Sequence, residues 1–269
     1  MKINKTIKLL IKLIIIAACF FYIFYKFCHY NETGQFDFLS DLSLVKIPLL
    51  ILVVFLMLIN WSVESVKWKF LIKKLERITF FKSLKAVLAG ITVTMITPNR
   101  IGEIGGRVFV LKEKFRKKAV ISTIAGSFSQ LATTIIMGAA AIIILLLLYE
   151  HQLNISQNMS RIAIVLLIIT AVLTIIFYFN INLIERWIRK VSWLNKIHET
   201  VSMVSEYNRK ELLTTIIYSI LRYLVFVVQY YILFLVFDIH LELIEMFLII
   251  ASTYFVSSLI PSFTLVEFG

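Results

Sequence analysis

The chain has only two cysteines in 269 residues, Cys19 and Cys28, and both fall in its first apolar stretch. Their spacing suits neither a metal nor a redox pair, so a disulfide framework is not indicated and the thiols read as packing groups. Four histidines, His29, His151, His198 and His240, lie far apart, which leaves no set of ligands for a metal. Neither a G-x-x-x-x-G-K-[ST] loop nor a G-x-G-x-x-G fingerprint occurs, and no serine elbow marks a hydrolase. Nucleotide binding and enzyme chemistry are thus unsupported, and no cofactor is implied. Acidic residues are also scarce: 16 Asp and Glu stand against 28 Lys and Arg, for a formal net charge of +12.

Apolar residues are abundant. They make up 60% of the chain, and the mean hydropathy is +0.90. Soluble domains hold about 45–50% apolar residues, and apolar runs of about 20 residues mean spanning helices. The expected fold is an all-α polytopic membrane protein, with residues 1–269 as a single integral membrane domain. About five spans are expected, near Ile7–Cys28, Ile47–Val63, Ala119–Tyr149, Ile162–Phe179 and Leu212–Phe237, together with two short broken segments. The first span is too long for a signal peptide and lacks a small-residue cleavage site after it. Lys and Arg gather in alternate connections, which is the orientation signal of a membrane protein rather than a nucleic-acid footprint. That pattern puts the amino terminus in the cytoplasm. After the second span, Lys67, Lys69, Lys73, Lys74 and Arg77 alternate with Trp68, Phe70 and Leu71, as in an amphipathic interfacial helix. Further on, Ser122, Gly126, Ser129 and Thr133 share one helical face, a pattern that favours close helix packing.

One segment is unlike the rest. The apolar run that begins at Ala86 is too short to cross a bilayer and ends in Thr97-Pro98-Asn99-Arg100-Ile101-Gly102-Glu103-Ile104-Gly105-Gly106-Arg107. About a dozen apolar residues rise roughly 17–20 Å as a helix, against a hydrocarbon core of about 30 Å. Lys82 and Lys85 precede the run and a basic cluster from Lys112 to Lys118 follows it, so both ends are expected on the cytoplasmic face. A re-entrant hairpin with its tip at membrane depth fits, and Arg100, Glu103 and Arg107 there suggest a polar site. Gly102 and Gly106 form G-x-x-x-G, read here as close packing.

A second short segment, Met246 to Ile260, breaks at Pro261, with Glu267 beyond it. The order span, span, broken segment thus occurs twice, which is the sequence shape of an inverted repeat whose broken helices mark a substrate site. Such a repeat implies at least one more helix after Gly269, from a longer reading frame or a partner. Between the two breaks, Arg222 sits near the middle of its span, with Tyr218 and Gln229 on the same face. A charge at that depth costs about 2.5–3.5 kcal/mol and needs a partner, expected in Glu267 or Glu103 facing a shared interior. Such a pair would fix helix packing, or Arg222 would offer its guanidinium to a lipid phosphate. Both readings stay open.

Pro98-Asn99-Arg100-Ile101-Gly102-Glu103, set between an apolar and a basic helix, resembles the membrane region of lysylphosphatidylglycerol synthases and the wider flippase-like family built on it. The family's P-x-R-x-G-E pattern matches at Pro98, Arg100, Gly102 and Glu103. A second motif near the end matches only at Pro261 and Glu267, and Ser262, Phe263 and Thr264 replace the glycines of a backbone-lined anion site. In those synthases a soluble domain transfers the amino acid and the membrane part moves the lipid product; no stretch here could form such a domain. The resemblance implies a flippase-like protein that translocates or binds an amphiphilic, anionic or glycosylated lipid, with membrane lipids as partners and no nucleic acid. Pro98, Arg100, Gly102, Glu103, Arg107, Arg222 and Glu267 would line its polar route, with no catalytic or metal-binding residue among them. The competing readings are a non-transporting scaffold partnered by a lipid-modifying enzyme or glycosyltransferase, and an integral membrane transferase.

Overall fold

A computed structural model describes residues 46–94, 97, 101–150, 152, 155–180 and 207–259. The chain divides into two compact units, Met1–Leu50 and Ile51–Gly269, and the polar site described below lies within the second. Among the described residues there are seven helices and no strand, and four of the helices are long and apolar enough to cross a membrane. The all-α polytopic fold expected from hydropathy is therefore present. The span expected at Ile7–Cys28 lies outside the described residues.

Helix α1 runs from Lys46 to Ile72, 27 residues that rise about 40 Å. The sequence suggested a span ending near Val63 and then a separate interfacial helix. Instead the helix is continuous, and Lys67 and Trp68 on its far half are 1% and 0% exposed. Between Ile51 and Ile72 there is neither Gly nor Pro to stop the helix. Buried acceptors meet the polar groups: Trp68 Nε1 donates to Thr123 Oγ1 at 3.0 Å. Only from Lys69 onward does the basic stretch return to an exposed surface.

Helices α2 (Phe80–Thr94) and α3 (Ile101–Val108) form an antiparallel hairpin. At 15 residues, α2 rises about 22 Å, short of the hydrocarbon core. Two glycines let the backbones touch. A Cβ on Gly106 would lie 2.5 Å from the Ala89 carbonyl oxygen, and one on Gly102 would collide with Val93 and Thr97. The Gly102 N–H also donates to Thr97 Oγ1 at 2.8 Å, tying the start of α3 to the end of α2. Ser83 Oγ donates to the Ser65 carbonyl at 2.6 Å and seats α2 on α1. Trp68, Ile72, Ala86, Val87, Val108 and Ala119 form a core beneath the hairpin. Single cysteines at Lys82 and Lys114, which flank the hairpin, should label with an impermeant maleimide from the same face of the membrane. Labelling from opposite faces would turn the hairpin into a crossing.

Helix α4 (Glu113–Tyr149) has 37 residues, about 55 Å, which exceeds what a span needs. Ser122, Gly126, Ser129 and Thr133 are all buried along it, so that face packs as its small residues suggested. Helix α5 (Gln157–Phe179) starts at Ser156, whose side chain accepts from the Met159 N–H, and only Ser160 and Tyr178 are buried along it. From Ile162 to Ile176 its exposed surface is mostly aliphatic and suits lipid. Helix α6 (Arg209–Val236) begins with a capping box between Asn208 and Glu211. Helix α7 (Leu243–Leu259) lies against α4 at Gly138, where a Cβ would meet Phe255 and the Ala251 carbonyl. The second break of the expected inverted repeat, at Pro261 and Glu267, lies outside the described residues.

Candidate functional site

The polar centre is built on one carboxylate. Glu64 is two-thirds of the way along α1, and its side chain is 3% exposed. Its Oε1 accepts from Arg107 Nη1 of α3 at 2.7 Å, and its Oε2 accepts from Arg222 Nη1 of α6 at 2.8 Å. Lys67, one turn further along α1, reaches the same Oε2 at 2.8 Å. Three cations from three helices thus converge on a single acid. Desolvating such charges costs several kcal/mol per ion, so this geometry persists only because each finds a partner.

Each cation is also held from a second side. Arg222 Nε donates to Asn60 Oδ1 at 2.9 Å, and Asn60 Nδ2 donates to the Arg222 carbonyl at 3.2 Å. Asn60, Glu64 and Lys67 are spaced i, i+4, i+7, so they lie on one face of α1. Lys67 Nζ donates to the Gly126 carbonyl at 3.3 Å and to Ser219 Oγ at 3.4 Å. Ser219 in turn shares a hydrogen bond with Ser129 at 2.8 Å, which links α6 to α4. Arg107 Nη2 donates to Glu103 one turn earlier on α3. Its Nε is buried without a hydrogen-bond partner.

The sum of charges is not zero. Lys67, Arg107 and Arg222 face Glu64 and Glu103, leaving one net positive charge. The members also differ in access: Lys67 and Arg107 side chains are 1% and 2% exposed, whereas that of Arg222 is 16% exposed. The guanidinium of Arg222 lies 5.5 Å from the centre of the Phe226 ring. Of the three cations, Arg222 is thus the most accessible to an anion. A carboxylate or phosphate is the ligand that a guanidinium in such a place can take.

Residues 9–263 match a family model described as the lysylphosphatidylglycerol synthase TM region. The chain belongs to that family. No curated protein and no solved structure gives a match.

Within this member of the family, the residues singled out by sequence separate into groups. Glu103, Arg107 and Arg222 come together, with Glu64 and Arg107 as the link between Arg222 and Glu103. Among the described residues the partner of Arg222 is Glu64 rather than Glu103, and Glu267, the other partner expected, is not among them. Gly102 serves the hairpin rather than the charge cluster. Pro98, Arg100 and Glu267 lie outside the described residues. Tyr218 meets Phe70 of α1, with ring centres 6.3 Å apart, and Gln229 donates to the Val53 carbonyl at 3.1 Å. Sequence reasoning missed Asn60, Glu64 and Lys67. Their signal was present as polar residues at helical spacing on an apolar helix, but Lys67 was absorbed into the basic stretch that follows it.

Proposed function

We propose that this chain binds an amphiphilic lipid with an anionic or glycosylated headgroup and moves it between the leaflets of a bacterial inner membrane, with its amino terminus in the cytoplasm. One observation carries this reading. The buried charge cluster has one net positive charge, and it sits where two long apolar helices meet a hairpin too short to span. A headgroup that carries negative charge would neutralise the cluster while its tails stay in lipid. Membership of a family described as the membrane region of a lipid synthase supports lipid as the substrate class.

Arg222 provides the test. Replacing it with glutamine leaves two cations, Lys67 and Arg107, against two carboxylates, so the cluster becomes neutral and the fold should survive. In vesicles reconstituted with a fluorescent phosphatidylglycerol, Arg222→Gln is expected to slow transbilayer movement by about tenfold or more, equivalent to about 1.4 kcal/mol. Arg222→Lys, which keeps the charge but loses the fork, should fall between the two. One observation favours a static scaffold for a lipid-modifying enzyme or glycosyltransferase instead: both oxygens of Glu64 are already occupied by cations. That reading requires equal, background movement in the wild type and both variants.

A further inference from the structure

A second basic feature lies one helical turn from the cluster. At the end of α1 is a cavity of about 540 Å³ whose lining includes three cations, Lys69, Lys73 and Arg77, and no carboxylate. Val66, Phe70, Ile78, Phe80 and Tyr218 form its apolar wall. The volume falls in the range of about 300–1,000 Å³ typical of small-molecule sites. The three cations recur every four residues: Lys69 in the last turn of α1, Lys73 in the turn that follows it, and Arg77 in the segment leading to α2.

These charges differ from the rest of the basic surface. Lys74 and Lys82 are bound by Glu211 and Glu76, each at 2.7–2.8 Å. Lys69 and Arg77 are exposed and form no ion pair among the described residues. Lys73 is held more loosely, 3.7 Å from Glu211 and 3.9 Å above the centre of the Phe70 ring. Two of the three cations of the cavity are therefore left without a carboxylate partner among the described residues. Phe81 stands 78% exposed beside Phe80, an aromatic surface suited to the boundary between headgroups and acyl chains. Cations above an aromatic floor fit a phosphate with a glycerol and chains attached better than a free ion, which would have no use for the apolar wall.

The position also matters. Tyr218 is one turn of α6 before Arg222, a rise of about 6 Å. We infer that this cavity is a loading site, where an anionic phospholipid of the cytoplasmic leaflet places its phosphate among Lys69, Lys73 and Arg77 before meeting Arg222. The inference deepens the proposed lipid-handling function and rests on it for the direction of travel. It names the charge class of the lipid and the face from which it comes.

Binding and movement can be measured apart. The full chain would be reconstituted in phosphatidylcholine vesicles carrying a minor fraction of photoactivatable phosphatidylglycerol, or of photoactivatable phosphatidylcholine, and the crosslinked peptides mapped. Phosphatidylglycerol should label the peptides of Phe70, Phe80 and Tyr218 about tenfold more than phosphatidylcholine does. Lys69→Gln with Arg77→Gln, both at exposed positions, should reduce that labelling to the phosphatidylcholine level. The same change of charge at Lys114 and Lys117 should leave it unaltered. Equal labelling by the two lipids, undiminished labelling in the Lys69/Arg77 variant, or loss of labelling on adding inorganic phosphate would overturn the loading site. Selective labelling without transbilayer movement would keep the site and reject transport; movement without selectivity would do the reverse.

Discussion

Glu64→Gln is expected to be the most damaging single substitution in the chain, destabilising it by about 3–5 kcal/mol. The carboxylate is the shared partner of Lys67, Arg107 and Arg222, and Arg107 and Arg222 approach it from different helices. A glutamine has nearly the same shape but no charge, and its amide nitrogen would face donors where an oxygen now accepts. Three cations would then have only Glu103 to offset them, at a depth where water cannot. Thermal unfolding in detergent should show a large fall in midpoint, or the protein should fail to accumulate. A double variant, Glu64→Gln with Lys67→Met, removes one charge of each sign from α1 and should recover part of the loss. If Glu64→Gln alone matched the wild type, the cluster would not be the element that holds α1, α3 and α6 together.

Gly106→Ala and Gly105→Ala should have opposite effects, although they add one methyl group to neighbouring residues. The new Cβ at Gly106 would lie 2.5 Å from the Ala89 carbonyl oxygen and 2.7 Å from the Gly90 Cα, and backbone cannot swing aside as a side chain can. Relief requires the hairpin to open, at a cost near the upper end of the roughly 1–3 kcal/mol seen on overpacking. At Gly105 nothing lies within 4 Å of the added atom. There the usual gain of Ala over Gly in a helix applies, about 1 kcal/mol. Comparing the two midpoints removes any effect of the glycine-to-alanine change as such. Opening the hairpin would also draw Arg107 away from Glu64, so Gly106→Ala should impair lipid movement where Gly105→Ala does not. Equal stability of the two variants would mean that α2 and α3 do not pack through Gly106.

The short helix before Pro98 and its glycine-rich return were legible because length and composition act locally. Too few apolar residues to cross, followed by Gly102 and Gly106 four residues apart, allow little besides a tight turn back. The buried role of Ser122, Gly126, Ser129 and Thr133 was legible for the same reason, since helical periodicity alone places them on one face. Lys67 misled. As one cation in a basic stretch it resembles Lys69 and Lys73, and nothing in its own neighbourhood distinguishes it. What makes it buried is the Gly126 carbonyl and Ser219 hydroxyl that accept from it, 59 and 152 residues away.

By itself the sequence determined the membrane class, the all-α fold and the existence of the four long helices that the structure describes, though not where the first of them ends, because these follow from the transfer of apolar side chains and the need to satisfy backbone hydrogen bonds within each segment. It also marked Glu103, Arg107 and Arg222 as costly charges that need partners. Which partner each would find was decided by tertiary structure alone. Glu64 meets Arg107 across 43 residues and Arg222 across 158, separations at which periodicity carries no information. The choice depends on which helix faces come within 3 Å of one another. A buried charge takes whichever opposite charge packing brings nearest, and here that was a glutamate which looked, in sequence, like the edge of a span.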